Sequence, residues 1–489
     1  MNRQSGKFAW HWSLAVVLFF AGTGLVWSAS TPAERGGKEP QESEETAGNA
    51  AVKHPPFQNV RYAEDWSVLR REGDRTPYEG WKFVPLDEKG AVYLSLGGQW
   101  RLRGEAWSNF TGLEDQDDAF GLSRLRIHGD LHVGNRFRLF VEGKSALATD
   151  RSLPGGRRTL DVDSLDLLNA FGELRGSWSG GKWSVSAGRR ELQWGRQRLV
   201  SPLDWSNSRR TFDVVQGSVT WSDFQVEIFW SKPVVVRKYS FNRFYAGDAD
   251  FYGAALTRRK GSLAWDLYWM NLQRGSARFA GKTAGENRHT VGGRVQVTPV
   301  ESSLDWELEA AYQLGSFGGE AIRAGMVTTQ VGYRWRELRG APRVYFNVDF
   351  ASGDGDPKDG KLRTFNQLFP LGHAYLGYMD LVGRQNIVDT AVGAMWTPWR
   401  RTRFTADLHN FRRATRADGW YHAGGLELRP AAAGSLCLGR ELDLTARHSF
   451  NRFVLAELGY GHFFPGPFMR QTGPAEAIDW VYLTLQTTF

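Results

Sequence analysis

Beyond residue 91 apolar and polar positions alternate at period two, segment after segment. The clearest stretch is Arg124-Leu125-Arg126-Ile127-His128-Gly129-Asp130-Leu131-His132-Val133. Gly134-Asn135 follows as a two-residue hairpin turn. The alternation then resumes, with Arg136, Arg138, Glu142 and Lys144 on one face and Phe137, Leu139 and Val141 on the other. The chain ends the same way: Val481, Leu483, Leu485 and Phe489 share one face, and Trp480, Tyr482, Thr484, Gln486 and Thr488 share the other. A half-buried strand of a soluble domain also alternates. A long charged face repeated strand after strand, however, needs a large volume of water on one side, and a lipid-facing barrel supplies that arrangement.

The pattern marks strands near 91–107, 120–133, 136–149, 167–178, 183–192, 213–221, 224–233, 250–259, 263–273, 289–299, 304–315, 326–337, 342–352, 386–398, 402–411, 421–430, 439–448, 452–463 and 478–489. That makes nineteen, and bacterial single-chain barrels use an even number. If the first strand runs outward, the connections near 134–135, 179–182, 222–223, 260–262, 299–303, 338–341 and 398–401 are short and share the periplasmic rim. Those at 150–166, 193–212, 234–249, 274–288 and 353–385 are longer and fall outside. Counting back from Phe489, the short link 449–451 must also be periplasmic, and the counts agree only if 421–430 does not span. That segment contains Gly424-Gly425, ends at Pro430 and alternates poorly, so it joins an outer loop, 412–438. The expected fold is all-β: a transmembrane antiparallel β-barrel of about eighteen strands over residues 91–489, wide enough for an aqueous channel.

Residues 1–30 read as a secretory signal peptide: Arg3 and Lys7 at the start, an apolar core over 14–25, and Ser28 and Ser30 before the cleavage site. Residues 31–90 form a periplasmic leader and pre-barrel segment. The part to residue 55 is rich in Glu, Gly, Ala, Pro and Lys and reads as disordered. Residues 56–90 mix Phe57, Tyr62, Trp66, Leu69, Tyr78, Trp81 and Phe83 with charges, and are expected to pack on or inside the barrel at its periplasmic end.

Composition narrows the picture. No stretch after the N-terminus holds eighteen consecutive apolar residues, which excludes a helical membrane protein. Yet 21 Trp, 15 Tyr and 30 Phe is a heavy aromatic load at a mean hydropathy of −0.43, and it suits aromatic girdles around a wet lumen. Cys437 is the single cysteine, so neither an intrachain disulfide nor a cysteine metal site can form. The formal charge of +8 would ordinarily raise nucleic acid as a partner. An export signal argues against that, and the excess reads as attraction for anionic solutes or lipopolysaccharide.

No catalytic constellation is present: the ten histidines are scattered and neither His-Glu-x-x-His nor Gly-x-Ser-x-Gly occurs. The chain is therefore expected to be no enzyme and to need no cofactor. His128 and His132 are four apart, but on a strand that separates them by about 13 Å. Asp354-Gly355-Asp356-Pro357-Lys358-Asp359-Gly360 departs from a calcium loop at Lys358 and Phe365 and reads as a turn-rich outer loop. Arginine is the sharper signal. Arg101, Arg103, Arg124, Arg126, Arg136, Arg138, Arg190, Arg294, Arg334, Arg336, Arg403 and Arg447 fall on faces assigned to the lumen. Acids such as Glu105, Asp130, Glu142, Glu307, Asp407 and Asp443 share those faces, and cross-strand charge ladders account for many of them. Arginines without an acid neighbour would line an anion-favouring constriction. The outer loops add Arg151, Arg157 and Arg158, and Arg196, Arg198, Arg209 and Arg210, which would join the constriction if the loops fold inward. Arg198, Arg210 and Asp213 are the loop candidates.

Several stretches resemble the alginate-export family of outer-membrane barrels. They are Arg61-Tyr62-Ala63-Glu64-Asp65-Trp66; Gly188-Arg189-Arg190-Glu191-Leu192 with Gly195-Arg196-Gln197-Arg198-Leu199-Val200, Asp204-Trp205-Ser206-Asn207 and Arg210-Thr211-Phe212-Asp213; Ser352-Gly353-Asp354 through Phe365-Asn366-Gln367-Leu368-Phe369-Pro370, His373 and Gly377-Tyr378-Met379-Asp380-Leu381; and Gly459-Tyr460-Gly461-His462-Phe463-Phe464-Pro465-Gly466. The resemblance implies an eighteen-stranded barrel in the bacterial outer membrane, with an electropositive pore for passive export of a polyuronate. Its partners would be membrane lipid and lipopolysaccharide, the anionic polysaccharide, and periplasmic export proteins. The same pore would equally serve uptake of small anionic or sugar-acid solutes.

Overall fold

The computed structural model describes residues 55–71, 77–298 and 302–489. The signal peptide expected over 1–30 and the leader over 31–54 lie outside them. Eighteen antiparallel strands close into one barrel. They are β1 Val92–Ser108, β2 Asp118–Val133, β3 Phe137–Ala148, β4 Asp163–Trp178, β5 Gly181–Arg190, β6 Phe212–Trp221, β7 Phe224–Pro233, β8 Ala249–Lys260 and β9 Leu263–Phe279. The ring continues with β10 Lys282–Val297, β11 Leu304–Phe317, β12 Glu320–Arg334, β13 Arg343–Ala351, β14 Ile387–Trp399, β15 Thr402–Arg413, β16 Cys437–Ser449, β17 Val454–Pro465 and β18 Ile478–Thr488. Each strand pairs with its chain neighbours, and β18 returns to β1 with Gln99 opposite Thr488 and Trp107 opposite Trp480. Closure leaves no open sheet edge, so the wall amides pair strand to strand without water.

Alternation fixes which face meets lipid. Along β2, Arg124, Arg126, His128 and Asp130 are buried inside, whereas Leu125, Ile127 and Val133 are exposed outside. Along β18, Trp480, Tyr482 and Thr484 are buried and Leu483 and Leu485 exposed, as the period-two pattern of the C-terminus requires. Outward aromatics form two bands: Trp178, Trp221, Trp306, Trp396 and Trp399 near the short turns, and Trp230, Trp269, Tyr312, Phe350 and Phe464 toward the other rim. Tight wall packing also needs glycine at chosen points. A Cβ on Gly459 would lie 1.9 Å from the Tyr482 ring, which crosses it from β18.

All turns at one rim are short, and the start of β1 and the C-terminal Phe489 lie there. The other rim carries the loops 109–117, 149–162, 191–211, 234–248, 352–386, 414–436 and 466–477. Trp420–Tyr421 and Glu427–Arg429 form a two-stranded hairpin of their own inside loop 414–436, outside the barrel sheet. The long loop expected over 274–288 is different: β9 and β10 run on to a two-residue turn at Ala280-Gly281. β11 and β12 likewise meet at Gly318-Gly319. Ala277, Phe279, Phe317, Ile322 and Leu362 bury one another there, which sustains the two hairpins beyond the wall. The polar, Gly- and Ala-rich sequence hid that apolar cluster.

Residues 55–71 and 77–90 fold into the short-turn end of the barrel. Arg61 donates to the Phe489 carbonyl at 3.1 Å, and Tyr62 donates to the Glu191 carbonyl at 2.6 Å. Trp66, Leu69, Phe83 and Tyr93 are buried together, with Phe57 and Tyr78 against them. The Lys82 ammonium sits among Phe57, Trp66 and Tyr78, 5.1–5.7 Å from the three ring centres. Gly97 makes room for it: a Cβ there would lie 2.2 Å from Nζ.

Candidate pore constriction

Two long loops turn into the lumen and join. Phe369 N–H donates to the Leu199 carbonyl and Leu371 N–H to the Gln197 carbonyl, both at 2.9 Å, and Val200 and Phe369 form an isolated parallel bridge. Trp205 and His373 stack face to face at 3.8 Å, and Tyr378 covers the other face of the imidazole at 4.7 Å. Tyr375 donates to the Arg196 carbonyl, and Arg384 to the Arg198 carbonyl. Loop 191–211 and loop 352–386 therefore act as one body across the barrel.

The wall arginines hold that body in place. Arg101 donates to the carbonyls of Asp204, Trp205 and Ser206 at 2.8–3.1 Å. Arg103 donates to the Trp205 carbonyl at 2.8 Å, lies 3.8 Å over its ring centre and pairs with Glu105. Arg124 reaches the Asp204 and Ser206 carbonyls and the Asp204 carboxylate, the last at 2.8 Å. Burial alone would raise the Asp204 carboxyl, but Arg124, Arg209 and Arg101 outweigh it and hold it well below the usual range. Lys144 adds a bond to the Ser208 carbonyl at 2.6 Å. On the opposite wall Arg198 pairs with Glu307 and Glu309, and Arg384 with Asp349 at 2.7 Å. Tyr378 and Met379 N–H groups donate to Asp443 and Glu441 at 3.1 and 2.9 Å.

The remaining arginines divide by environment. Arg126 pairs with Glu142 at 2.9 Å, Arg138 with Asp130 at 2.7 Å, and Arg294 with Asp266 at 2.5 Å, all buried. Arg334 is buried at the short-turn rim, donating to the Ala341 carbonyl. Arg136 and Arg336 are not on the lumen face. Both sit in turns past the strand ends with exposed side chains, where the alternation that placed them inward no longer holds. Arg403 and Arg447 are half-buried and stand opposite each other on β15 and β16, with Arg447 3.8 Å from Glu457. Asp213 receives Arg189 at 2.8 Å and the Tyr245 N–H, so it anchors loop 234–248 rather than meeting the lumen loops. Arg190 and Arg210 are half-buried over aromatic faces: Arg190 lies 4.5 Å from the Tyr62 ring centre and Arg210 5.6 Å from that of Phe369. Burial pulls the Arg210 guanidinium down to about 10, which leaves it charged at neutral pH.

Periodicity could not single out Trp205, His373, Tyr375 and Tyr378, which lie in irregular loops; only the short motifs around them drew notice. His128 and His132 stack on Phe140 and Tyr93. In loop 352–386, Asp354 and Asp359 both lie against Arg363, at 3.5 and 2.5 Å. Among the described residues no group of three or more His, Cys, Asp or Glu is placed to hold a metal ion.

A family model for alginate export matches residues 92–482, from the first strand into the last. The chain belongs to the alginate-export family. It is an outer-membrane channel protein of that family, and the strand count, the two aromatic bands and the asymmetry of turns and loops fit that membrane. The short-turn rim is then periplasmic and the long loops face outward. Solved barrels share the fold. OpdO from Pseudomonas aeruginosa superposes with a TM-score of 0.54 at 12% identity, covering 81% of this chain and 97% of that one. OccK8 (OprE) from the same organism gives 0.54 at 11%, with 81% and 98% covered. OccAB2 from Acinetobacter baumannii gives 0.52 at 11%, with the same coverage. No curated protein matches the alginate-export barrel described above.

Proposed function

We propose that this channel passes an anionic saccharide, a polyuronate of the alginate type, outward by passive export. The observation that carries the reading is the pairing of a half-buried guanidinium with a half-buried aromatic ring where the in-folded segments meet the lumen: Arg210 with Phe369 and Arg190 with Tyr62. A uronate presents both a carboxylate, which suits arginine, and an apolar ring face, which suits an aromatic platform. Family membership supports the polymer as the solute, and export of a polymer calls for periplasmic proteins that deliver it.

Uptake of small sugar acids is the second reading. It is favoured by how firmly the two loops are bound to each other and to the wall, since a fixed in-folded loop suits a solute that passes as a single unit. Bilayer recordings separate the two. Anion selectivity, with block that deepens as uronate oligomers lengthen, supports the polymer reading. Equal interaction with monomeric and oligomeric uronates moves it to small-solute uptake. Cation preference without any uronate effect ends both.

A further inference from the structure

β5, β6 and β7 have ten residues each, close to the roughly 9–11 that a tilted strand needs to cross the hydrocarbon. The chain leaving β7 at Pro233 therefore emerges at the level of the outer headgroups. Outward Trp230 and Lys232 mark that level, each 3.1 Å from Asp250. Loop 234–248 begins there, and it is pinned on one side only. Buried Asn242 donates from its amide N–H to Asp166 at 2.7 Å and from Nδ2 to Asp163 at 3.0 Å, and its carbonyl accepts from Arg189. Ser164 N–H donates to the Lys238 carbonyl at 2.9 Å.

The other side of the loop is open. Tyr239, Phe241, Phe244 and Tyr245 are 42–64% exposed, and Leu165 at the top of neighbouring β4 is 72% exposed. Arg237 and Arg243 are exposed between these rings. Neither guanidinium has a hydrogen bond or ion pair within the described residues. The loop carries Arg237, Lys238 and Arg243 against the single acid Asp248. A rigid loop that displays rings and unpaired cations at headgroup height matches a lipid that carries sugar rings, acyl chains and phosphates together.

We propose that this face of loop 234–248 docks the bisphosphorylated lipid A portion of lipopolysaccharide. Arg237 and Arg243 take the phosphates through charge-assisted hydrogen bonds, and the rings cover the saccharide and the first acyl carbons. Tyr245 stacks on outward Trp230, which sets this face on the outside of the wall, so the site stands or falls separately from the transported solute.

Native mass spectrometry of the full-length protein in detergent tests it, with defined bisphosphoryl lipid A, monophosphoryl lipid A and phosphatidylglycerol as probes. The expected order of retention is bisphosphoryl, then monophosphoryl, then phosphatidylglycerol. R237A/R243A should weaken bisphosphoryl lipid A by about tenfold, while K358A, which removes an exposed cation from another outer loop, changes nothing. Y239A/F241A should weaken lipid A and leave the preference for two phosphates intact. Mobility of unheated samples in detergent gels confirms that each variant is folded. Wild-type retention by folded R237A/R243A, or equal retention of phosphatidylglycerol and lipid A, overturns the proposal.

Discussion

The ring of Trp205 lies on that of His373, 8° from parallel and 3.8 Å between centres. One comes from loop 191–211 and the other from loop 352–386, so the contact makes two separate loops move as one. Trp205→Ala removes it, along with the platform under Arg103. The expected result is a noisier open channel with larger conductance, at nearly unchanged thermal stability of the barrel wall. Single-channel recording beside a melting curve checks both. A variant with wild-type noise would show that the backbone bonds alone join the loops.

Arg384 is fully buried, with its guanidinium on both Asp349 oxygens. Arg384→Ala leaves that carboxylate buried without a partner, a loss of about 3–5 kcal/mol for such pairs. The loop, rather than the barrel, should yield. Limited proteolysis of loop 352–386 is expected to accelerate in Arg384→Ala, and Asp349→Asn with Arg384→Met should restore part of the protection.

Arginines that hold a loop and arginines that meet solute should part in kind. Arg101→Ala and Arg124→Ala free the carbonyls of 204–206 and are expected to change conductance and gating. Arg210→Ala removes two 3.3 Å bonds to the Ser201 and Pro370 carbonyls, which the Phe369 and Leu371 N–H bonds between the loops back up, and should shift the reversal potential toward cations at nearly constant conductance. Salt-gradient recordings on the three variants decide it. A large selectivity change in Arg101→Ala with an unchanged open level would reverse the assignment.

Leu483 faces lipid and Gln486 faces inward on the same strand. Leu483→Arg should cost about 2–4 kcal/mol near the midplane. Gln486→Arg should cost distinctly less in the same refolding titration. Equal costs would mean that the strand is turned the other way.

Lys82 predicts a pH response at the periplasmic mouth. Burial, with Arg61 adding to it, pulls its ammonium down to about 7. The released chain keeps the ordinary value of about 10.4. Between these values the released state binds the extra proton, so docking of residues 77–90 strengthens as pH rises from about 7 to 10. Below pH 7 the charged amine is held in both states, and the cost of burying it is felt in full. The three surrounding rings offset part of that cost. Lys82→Met should flatten the response and tighten docking at pH 6, read as slower amide exchange at Trp66 and Leu69.

Most of the wall was legible because lipid imposes a rule with period two. Strand number, closing strand, inner and outer faces, and the exclusion of 421–430 all follow from that rule and from turn lengths. It fails where strands leave the membrane, which is why Arg136 and Arg336 looked inward and why the extended hairpin at 280–281 looked like a loop. The constriction was half legible. Arginines on the inner face were evident in the alternation. Their partners were not, because Asp204, Trp205 and Ser206 accept through main-chain carbonyls, which carry no side-chain signature. The same chemistry explains why arginines without an acid opposite them on the wall, such as Arg101 between Gln486 and Arg124, are tethers rather than free charges.

The Phe489 carbonyl accepts both the Gly98 N–H and the Arg61 guanidinium. The berth of residues 55–71 and 77–90 is thus assembled from β1, β2 and β18 together, strands from opposite ends of the barrel sequence. It does not exist until the last strand has zipped against the first. A segment that precedes every barrel strand in the chain is therefore the last to find its place, and its docking reports that the circle is complete. A barrel stalled in assembly would trail this segment loose in the periplasm, where proteases distinguish unfinished molecules from finished ones.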